Sequence, residues 1–246
     1  MRGILADLVA EQQGLDQSLQ RAPDRDWKKK VGERGWTAQD TIAYLWWAER
    51  HIAGVLTDEI VPRKTLDEHG SVENFEQAGV DNAKTKRPQE VIEQWRFARA
   101  DVVDALSRLG ENDRIQWLNG NVSAQTFATM RLADTWAHGL EILTALDKEI
   151  IDTPRLRHIA WLGWATLPNA FAKAGDEYPE VVRVELVGPG YERWVFGPED
   201  AEHIIRGQAS DWCRVVVGFM EAADTESLSA TGELAEAALR NADIRP

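Results

Sequence analysis

The sequence predicts a mainly α-helical fold, with a helical bundle over residues 1–177 and a small α+β domain over residues 178–246. In the first part, apolar residues recur every three or four positions, as in the run from Ile4 to Leu19. After Pro179, apolar and polar residues alternate in Val181–Val187, which is typical of a half-buried strand. A chain of 246 residues is long enough for one large domain or two modest ones.

Local signals mark where the bundle helices begin. Thr37, followed three residues later by Asp40, matches a capping box. Pro88 suits the first turn of a helix, and Ser123 can cap another. The stretch from about 58 to 87 is polar and irregular, so we expect a long connection with room for a short helix. The four long helices are predicted from Ile4 to near Pro23, and over about 38–56, 88–109 and 124–146.

The remaining elements follow from turn residues and from changes in spacing. Asn119–Asn121 predicts a turn before the fourth helix. Thr153–Pro154 predicts the start of a fifth helix, reaching about residue 173, which Pro168 should kink or end. Further elements are predicted as strands at 181–187, 192–196 and 227–231, and as helices at 198–205, at 210–222 and from 233.

The charge balance and the cysteine count exclude several classes of protein. With 28 basic and 41 acidic residues the formal charge is −13, which opposes binding to a nucleic-acid backbone. Acidic residues interrupt any signal-peptide pattern, and no apolar run reaches the roughly 20 residues of a membrane span. The lone Cys213 excludes an intrachain disulfide and a cysteine-cluster metal site. We expect a cytoplasmic protein with a small-molecule substrate, without nucleic-acid or membrane partners, and leave a homodimer open.

One short segment carries the main candidate site. Asp134, His138 and Glu141 are spaced four and three residues apart, so on a helix all three share one face. Such a face can present two metal ligands, or an acid–base pair, to a pocket. A hydrogen-bonded pair without a further role is the alternative.

Tryptophan is the unusual component of the composition, with 11 residues against 3 tyrosines. Most of these rings are expected to pack between helices, and a few to line a deep apolar pocket. We predict that Trp47, Trp136, His51 and Glu141 bind the substrate beside the candidate catalytic residues.

Two motifs resemble those of a known family. Gly35–Leu45, with the sequence GWTAQDTIAYL, resembles the second-helix signature of DinB-like proteins of the mycothiol-dependent maleylpyruvate isomerase type. Arg131–Glu141, with the sequence RLADTWAHGLE, resembles their later helix motif. The segments 181–186, 196–200 and 207–212 are similar to the sterol-carrier-type domain that often follows. The resemblance implies a DinB-like four-helix bundle followed by a small sterol-carrier-like α+β domain.

The resemblance also implies a divalent metal, typically zinc, held by a His-Glu-His triad that activates a thiol cofactor such as mycothiol. Here Tyr44 stands at the first histidine, Asp134 at the glutamate, and only His138 is kept. A phenol must lose a proton of pKa about 10 to bind zinc, so the triad is degenerate. His51 lies seven residues beyond Tyr44, roughly 10 Å along the helix, and is a poor substitute. If zinc binds, we expect Asp134 and His138 as ligands, with Tyr44 or water completing the shell.

Three functions remain open at this point. The first is a metal-free isomerase, cyclase or addition–elimination enzyme acting on a small, largely apolar or conjugated substrate, as in natural-product biosynthesis. In it, Asp134 would orient the imidazole, His138 would act as general base, and Tyr44 would donate a proton or hold an oxyanion. The second is a metal- and mycothiol-dependent thiol transferase or isomerase. The third is a small-molecule binding protein without chemistry.

Overall fold

The computed structural model describes residues 1–118 and 120–245, so the first residue of the predicted turn, Asn119, lies outside the described residues. The chain divides into two compact units after Ile150. The fold is mainly helical, as predicted. In the described part of the chain, no helix is both long and apolar enough to span a membrane.

The first unit is a bundle of four long helices with shorter elements between them. Its elements, in chain order, are α1 (Arg2–Leu19), α2 (Asp24–Trp27), β1 (Lys30–Val31), β2 (Trp36–Thr37), α3 (Ala38–Leu56), α4 (Pro62–His69), α5 (Val72–Ala83), α6 (Pro88–Ser107), β3 (Arg114–Trp117), β4 (Gly120–Ser123) and α7 (Ala124–Ala145). The strands form two short antiparallel pairs, β1 with β2 and β3 with β4. The predicted four-helix bundle is therefore confirmed.

Side-chain contacts fix the directions of the four long helices. Lys148, just after α7, donates to the carbonyl of Ser18 at the end of α1, so these two helices run parallel. Gln39, at the start of α3, donates to the carbonyl of Lys86, just before α6, so α3 and α6 are also parallel. The two pairs run in opposite directions, because Asp16 near the end of α1 meets the first half of α6.

This topology explains the long stretch between α3 and α6. Two neighbouring helices can run parallel only if the chain returns along the whole bundle between them. Helix α3 has 19 residues and is therefore about 28 Å long. The returning segment is built from α4 and α5, where the sequence predicted a connection with one short helix. Gly79 of α5 packs on Trp47 of α3, where a Cβ atom would lie 2.6 Å from the Trp47 Cβ.

The predicted helix starts are confirmed. The Thr37 hydroxyl accepts a hydrogen bond from the Asp40 amide, and the Asp40 carboxylate accepts one from the Thr37 amide at 2.8 Å. Ser123 caps α7 by accepting from the Thr126 amide, and Pro88 occupies the first turn of α6. These caps fix where α3 and α7 begin. They therefore also fix which side chains of the two helices lie opposite each other.

The second unit combines helices with one sheet. Its labelled elements are α8 (Leu156–Ala165), α9 (Leu167–Ala174), β5 (Arg183–Val187), β6 (Arg193–Phe196), β7 (Ile204–Gln208), α10 (Ala209–Val216), β8 (Ser229–Thr231) and α11 (Glu233–Asn241). The strand order is β6-β5-β7-β8, with β5 and β7 parallel and the other pairs antiparallel. Pro168 separates α8 from α9, as the sequence predicted.

Two expectations for this half of the chain differ from the structure. The predicted helix at 198–205 is wrong, because Ile204 and Ile205 join the parallel strand β7, where β-branched side chains suit a buried pleat. The predicted boundary at 177/178 also differs from the division after Ile150. Helix α8 packs against α10 and α9 against α11, so the helix pair before the sheet belongs with the sheet. Cys213 is fully buried, as expected of a core residue.

We predict that Thr37→Ala destabilises the first unit by about 1 kcal/mol, because it removes the hydroxyl that accepts from the Asp40 amide and leaves only the bond from the residue 37 amide to the Asp40 carboxylate. Urea unfolding, followed by tryptophan fluorescence, would measure this loss. Asp101→Asn, on the exposed side of α6, is the control and should change the unfolding free energy little. Equal midpoints for the Thr37→Ala variant and the wild type would contradict the assignment.

Candidate functional site

A polar cluster lies between α3 and α7. The Tyr44 hydroxyl donates a hydrogen bond to Asp134 Oδ1 at 3.2 Å. The Tyr44 ring meets the His138 ring edge-on, with centroids 4.8 Å apart. His138 Nε2 lies 3.6 Å from Asp134 Oδ1, which is an ion-pair distance but longer than a hydrogen bond. The three residues predicted as catalytic are therefore neighbours in the folded chain.

Glu141 holds the other side of the His138 imidazole. Its Oε2 lies 3.2 Å from His138 Nδ1, within hydrogen-bond distance. The β1–β2 turn covers this carboxylate: a Cβ atom at Gly32, whose φ is +58°, would lie 3.0 Å from Glu141 Oε1. Glu141 is thus placed to orient the imidazole, and substrate binding by this residue stays a prediction. Nδ1 is thereby occupied, and Nε2 is the nitrogen left for exchange with a ligand.

A buried arginine lies beneath this cluster. Arg131 Nη2 donates to Asp134 Oδ2 at 2.5 Å. On another side, Arg131 Nε lies 3.5 Å from Oε1 of Glu49, a residue of α3 with no exposed surface. Neither Glu49 oxygen has a hydrogen-bond partner among the described residues. The cluster thus joins α3 to α7 through two carboxylates on one guanidinium.

These contacts set the charge states of Tyr44, Asp134 and His138. Burial alone would lower the pKa of His138, but the Glu141 hydrogen bond and the Asp134 charge raise it overall. Burial alone would raise the pKa of Asp134, but Arg131 and His138 lower it. Burial and the Asp134 charge raise the pKa of the Tyr44 hydroxyl well above its usual value. The cluster therefore contains a neutral phenol, a carboxylate and an imidazole that keeps its proton to higher pH than an ordinary histidine.

The pKa of Glu49 is shifted in the opposite direction to that of Asp134. Burial raises the pKa of Glu49 to about 7, although the charges of Arg131 and Arg99 oppose the shift. The Asp134 carboxylate adds to the increase, because it already neutralises the shared guanidinium. Of the two carboxyls beside Arg131, Asp134 is therefore ionised, whereas Glu49 gains or loses its proton near neutral pH.

The rim of the cluster comes from the β1–β2 hairpin and α5. Arg34 forms an ion pair with Glu76 of α5, and its guanidinium lies 5.1 Å from the Trp36 ring centroid. Trp36 lies 5.8 Å from Tyr44, centroid to centroid. Burial raises the pKa of Glu76, while the charges of Arg34 and His138 oppose that shift. The crossover helix α5 therefore adds a further carboxyl to the field around His138.

Two of the residues predicted to bind substrate lie in a separate aromatic group. Trp47 and His51 pack with His69 and Phe75, and the Trp47 and His51 ring centroids are 4.2 Å apart. His51 Nδ1 lies 2.8 Å from the Trp47 carbonyl oxygen, so this nitrogen is engaged within α3. Trp136 is buried two residues from Asp134, and side chains two apart point to nearly opposite sides of a helix. Substrate binding by these three residues stays a prediction.

The cluster does not fit the zinc site that the sequence motif implied. Asp134 accepts from Tyr44 at one oxygen and from Arg131 at the other, so both candidate donor atoms are engaged. The Arg131 guanidinium already supplies the positive charge that a metal ion would bring beside this carboxylate. Within residues 1–118 and 120–245, no three His, Cys, Asp or Glu side chains are grouped so that they could hold a metal.

The sequence analysis missed the inner half of the cluster. Glu49 occupies a buried helical stripe with Ile42, Leu45 and Ile52, and a carboxylate in an apolar stripe is the signal that could have revealed it. Arg131 belongs to the quoted motif, but no role was inferred for it. Arg34 and Glu76 reach the site from the hairpin and the crossover, and local sequence spacing does not predict such contacts.

The fold and the site define a helical-bundle protein with a titratable cluster between two of its long helices. Residues 8–143 match the family model of the mycothiol maleylpyruvate isomerase N-terminal domain, which is over half of the chain. The chain belongs to this family. The match ends within α7, after the whole cluster has been included.

Further similar proteins match most of the chain. Uncharacterized proteins from two strains of Mycobacterium tuberculosis are each 34% identical over 238 residues, covering 94% of this chain and 91% of theirs. The crystal structure of the mycothiol-dependent maleylpyruvate isomerase has a similar fold, with a TM-score of 0.62 and 16% sequence identity. That match covers 93% of this chain and 92% of the isomerase chain. The sterol-carrier resemblance of the second unit stays a prediction.

We predict that Glu49→Gln removes one contribution to the pH dependence of the unfolding free energy. The pKa of Glu49 is about 7 in the folded chain against an ordinary 4.5, so the folded state binds more protons between these values. The unfolding free energy of the wild type therefore falls through this window as pH rises, and the glutamine variant lacks this loss. Between about pH 4.5 and about pH 8, the unfolding free energy of the variant should therefore rise relative to that of the wild type by on the order of 3 kcal/mol.

Urea unfolding at several pH values would measure this difference. Glu93→Gln, at an exposed position of α6, is the matched control and should show no such change with pH. A stability difference between Glu49→Gln and the wild type that stays constant over the window would contradict a neutral carboxyl at Glu49.

Proposed function

We propose that this protein is a metal-independent enzyme of the maleylpyruvate isomerase-like family, with His138 as its acid–base group. The substrate is a small, conjugated or largely apolar molecule, and the reaction is an isomerisation, cyclisation or addition–elimination. The site lies between α3 and α7, at the Tyr44–Asp134–His138 cluster. A role in natural-product biosynthesis fits this chemistry.

The observation that carries the proposal is the setting of the His138 ring. Its side chain is 13% exposed, beside the partly exposed carboxylates Asp134 and Glu141. Glu141 holds Nδ1, and Nε2 has no hydrogen bond to Asp134 at their separation of 3.6 Å. An imidazole oriented at one nitrogen and available at the other is the arrangement that general acid–base catalysis needs.

The charge state suggests the order of proton transfers. The raised pKa of His138 favours an order in which the imidazolium form first donates the Nε2 proton to the substrate. The neutral imidazole then accepts a proton from another position of the substrate. The two transfers return His138 to its starting form and shift a double bond without net change in composition. Asp134 and Glu141 stabilise the cationic form on both sides.

Family membership favours a second candidate, a reaction that uses mycothiol as co-reactant. The solved relative carries mycothiol in its name. The lone cysteine of this chain cannot replace such a thiol, because burial raises the pKa of Cys213 well above its usual value. Any thiolate used at the cluster would therefore have to enter from solution.

Maleylpyruvate is the first substrate to test, with and without mycothiol. For the metal-independent enzyme, turnover should survive treatment with a chelator, and tag-free protein should contain far less than one equivalent of zinc. His138→Gln should lower the rate by about 10²-fold or more. Tyr44→Phe should lower it by roughly tenfold, because Asp134 loses a hydrogen bond.

Matched controls are His158→Gln and Tyr191→Phe, which replace the same residue types in the second unit and should retain the wild-type rate. One equivalent of zinc, or activity lost with the chelator and restored by zinc, would overturn metal independence. Activity that appears only with mycothiol would select the second candidate. Quenching of tryptophan fluorescence by maleylpyruvate that is recovered unchanged would favour a binding protein instead.

A further inference from the structure

Glu49 is a buried carboxyl beside Arg131 to which the proposed proton transfers give no role. It lies in the apolar stripe of α3 with no exposed surface, and both of its oxygens are without a hydrogen bond among the described residues. Burying an ionisable group this deeply costs several kcal/mol unless it is paired. A leucine in the same stripe would avoid that cost, so the position calls for a physical explanation.

The contacts around Arg131 supply one. The guanidinium is 7% exposed and presents Nη2 to Asp134 and Nε to Glu49. Asp134 and Arg131 lie three residues apart on α7, whereas Glu49 reaches the same guanidinium from α3. Contacts within α7 alone would let the long Arg131 side chain adopt other rotamers. The Glu49 carboxyl, carried by a different helix and 3.5 Å from Arg131 Nε, favours the rotamer that faces both carboxyls.

We propose that Glu49 is a positioning residue of the candidate site: it holds Arg131 from α3 and so fixes the Asp134 carboxylate beside His138. This inference rests on the proposed function of the cluster. Glu49 would not contact the substrate, because two layers of side chain, Arg131 and Asp134, separate it from the imidazole.

A charged residue of α6, paired with one of α1, also interacts with Glu49. Arg99 of α6 interacts electrostatically with Glu49 and is paired with Asp16 of α1, with Nη2 and Oδ2 2.6 Å apart. The guanidinium of Arg99 also lies over the Trp95 ring, 4.4 Å from its centroid. Charges of alternating sign therefore run from α1 through α6 and α3 to His138 and Glu141 on α7. Each long helix of the bundle contributes at least one of them.

Nuclear magnetic resonance on ¹⁵N-labelled protein tests the inference without any substrate. The probes are the Arg131 Nε–H signal and the His138 ring nitrogens, recorded at one pH near 7. In Glu49→Gln, the Arg131 signal should shift and its proton should exchange faster with water. The imidazolium-to-imidazole ratio of His138 should fall by about threefold or more, because Arg131 then neutralises Asp134 more fully. Glu49→Asp, which keeps the charge, should lie between the glutamine variant and the wild type.

Asp152→Asn is the matched control, because it breaks a part-buried arginine–carboxylate pair, with Arg214, in the second unit and leaves every charge of the cluster in place. It should leave the His138 ratio unchanged. Unaltered Arg131 and His138 signals in the folded Glu49 variants would overturn the inference, as would an equal change in Asp152→Asn. If Glu49→Gln does not fold, the same comparison is made with Glu49→Asp. If the Arg131 and His138 signals change in the Glu49 variants but the protein has no turnover, only the proposed function is overturned. If the enzyme is active but these signals do not change, only the present inference is overturned.

Discussion

The Arg131 guanidinium, shared by Glu49 and Asp134, is the interaction on which the candidate site depends. Through this guanidinium, α7 forms an ion pair with α3 inside the bundle, and Arg131 also pairs with Asp134 of its own helix. The guanidinium is the member of this set that cannot be removed, since its loss would leave the buried Asp134 and Glu49 carboxyls without the positive charge they share, in a medium of low dielectric constant. The positions of Tyr44 and His138 follow from this set, because both meet the carboxylate that Arg131 holds.

The same interaction gives the cluster a positive charge of its own. Tyr44 and Arg131 each donate to one oxygen of Asp134, so an internal cation lies beside this carboxylate. An arginine keeps its charge at any physiological pH, and its side chain is covalently fixed to α7. The cluster therefore retains a positive centre that neither a chelator nor the supply of metal can change.

Much of the bundle could be predicted from the sequence, because its helices are specified locally. The apolar period marks α1, α3, α6 and α7, and the caps at Thr37 and Ser123 mark where two of them begin. The grouping of Tyr44, Asp134, His138 and Glu141 could also be anticipated, in part from helical spacing and in part from the family motif. Glu49, Arg34 and Glu76 could not, because their partners come from other helices. Strand β7 was missed for the same reason, since pairing with β5 decides its structure.

The crossover through α4 and α5 has a consequence for how the molecule folds. The hydrogen bond between Tyr44 and Asp134 joins residues 90 positions apart, with the crossover and α6 between them in the chain. Contacts that close such long loops are costly in chain entropy until the intervening elements have docked. The local helices and caps can form early, whereas the charged cluster can be completed only when α7 arrives. The part of the bundle that would carry out the chemistry is thus among the last to assemble, and a nascent chain cannot possess it before α7 has been synthesised.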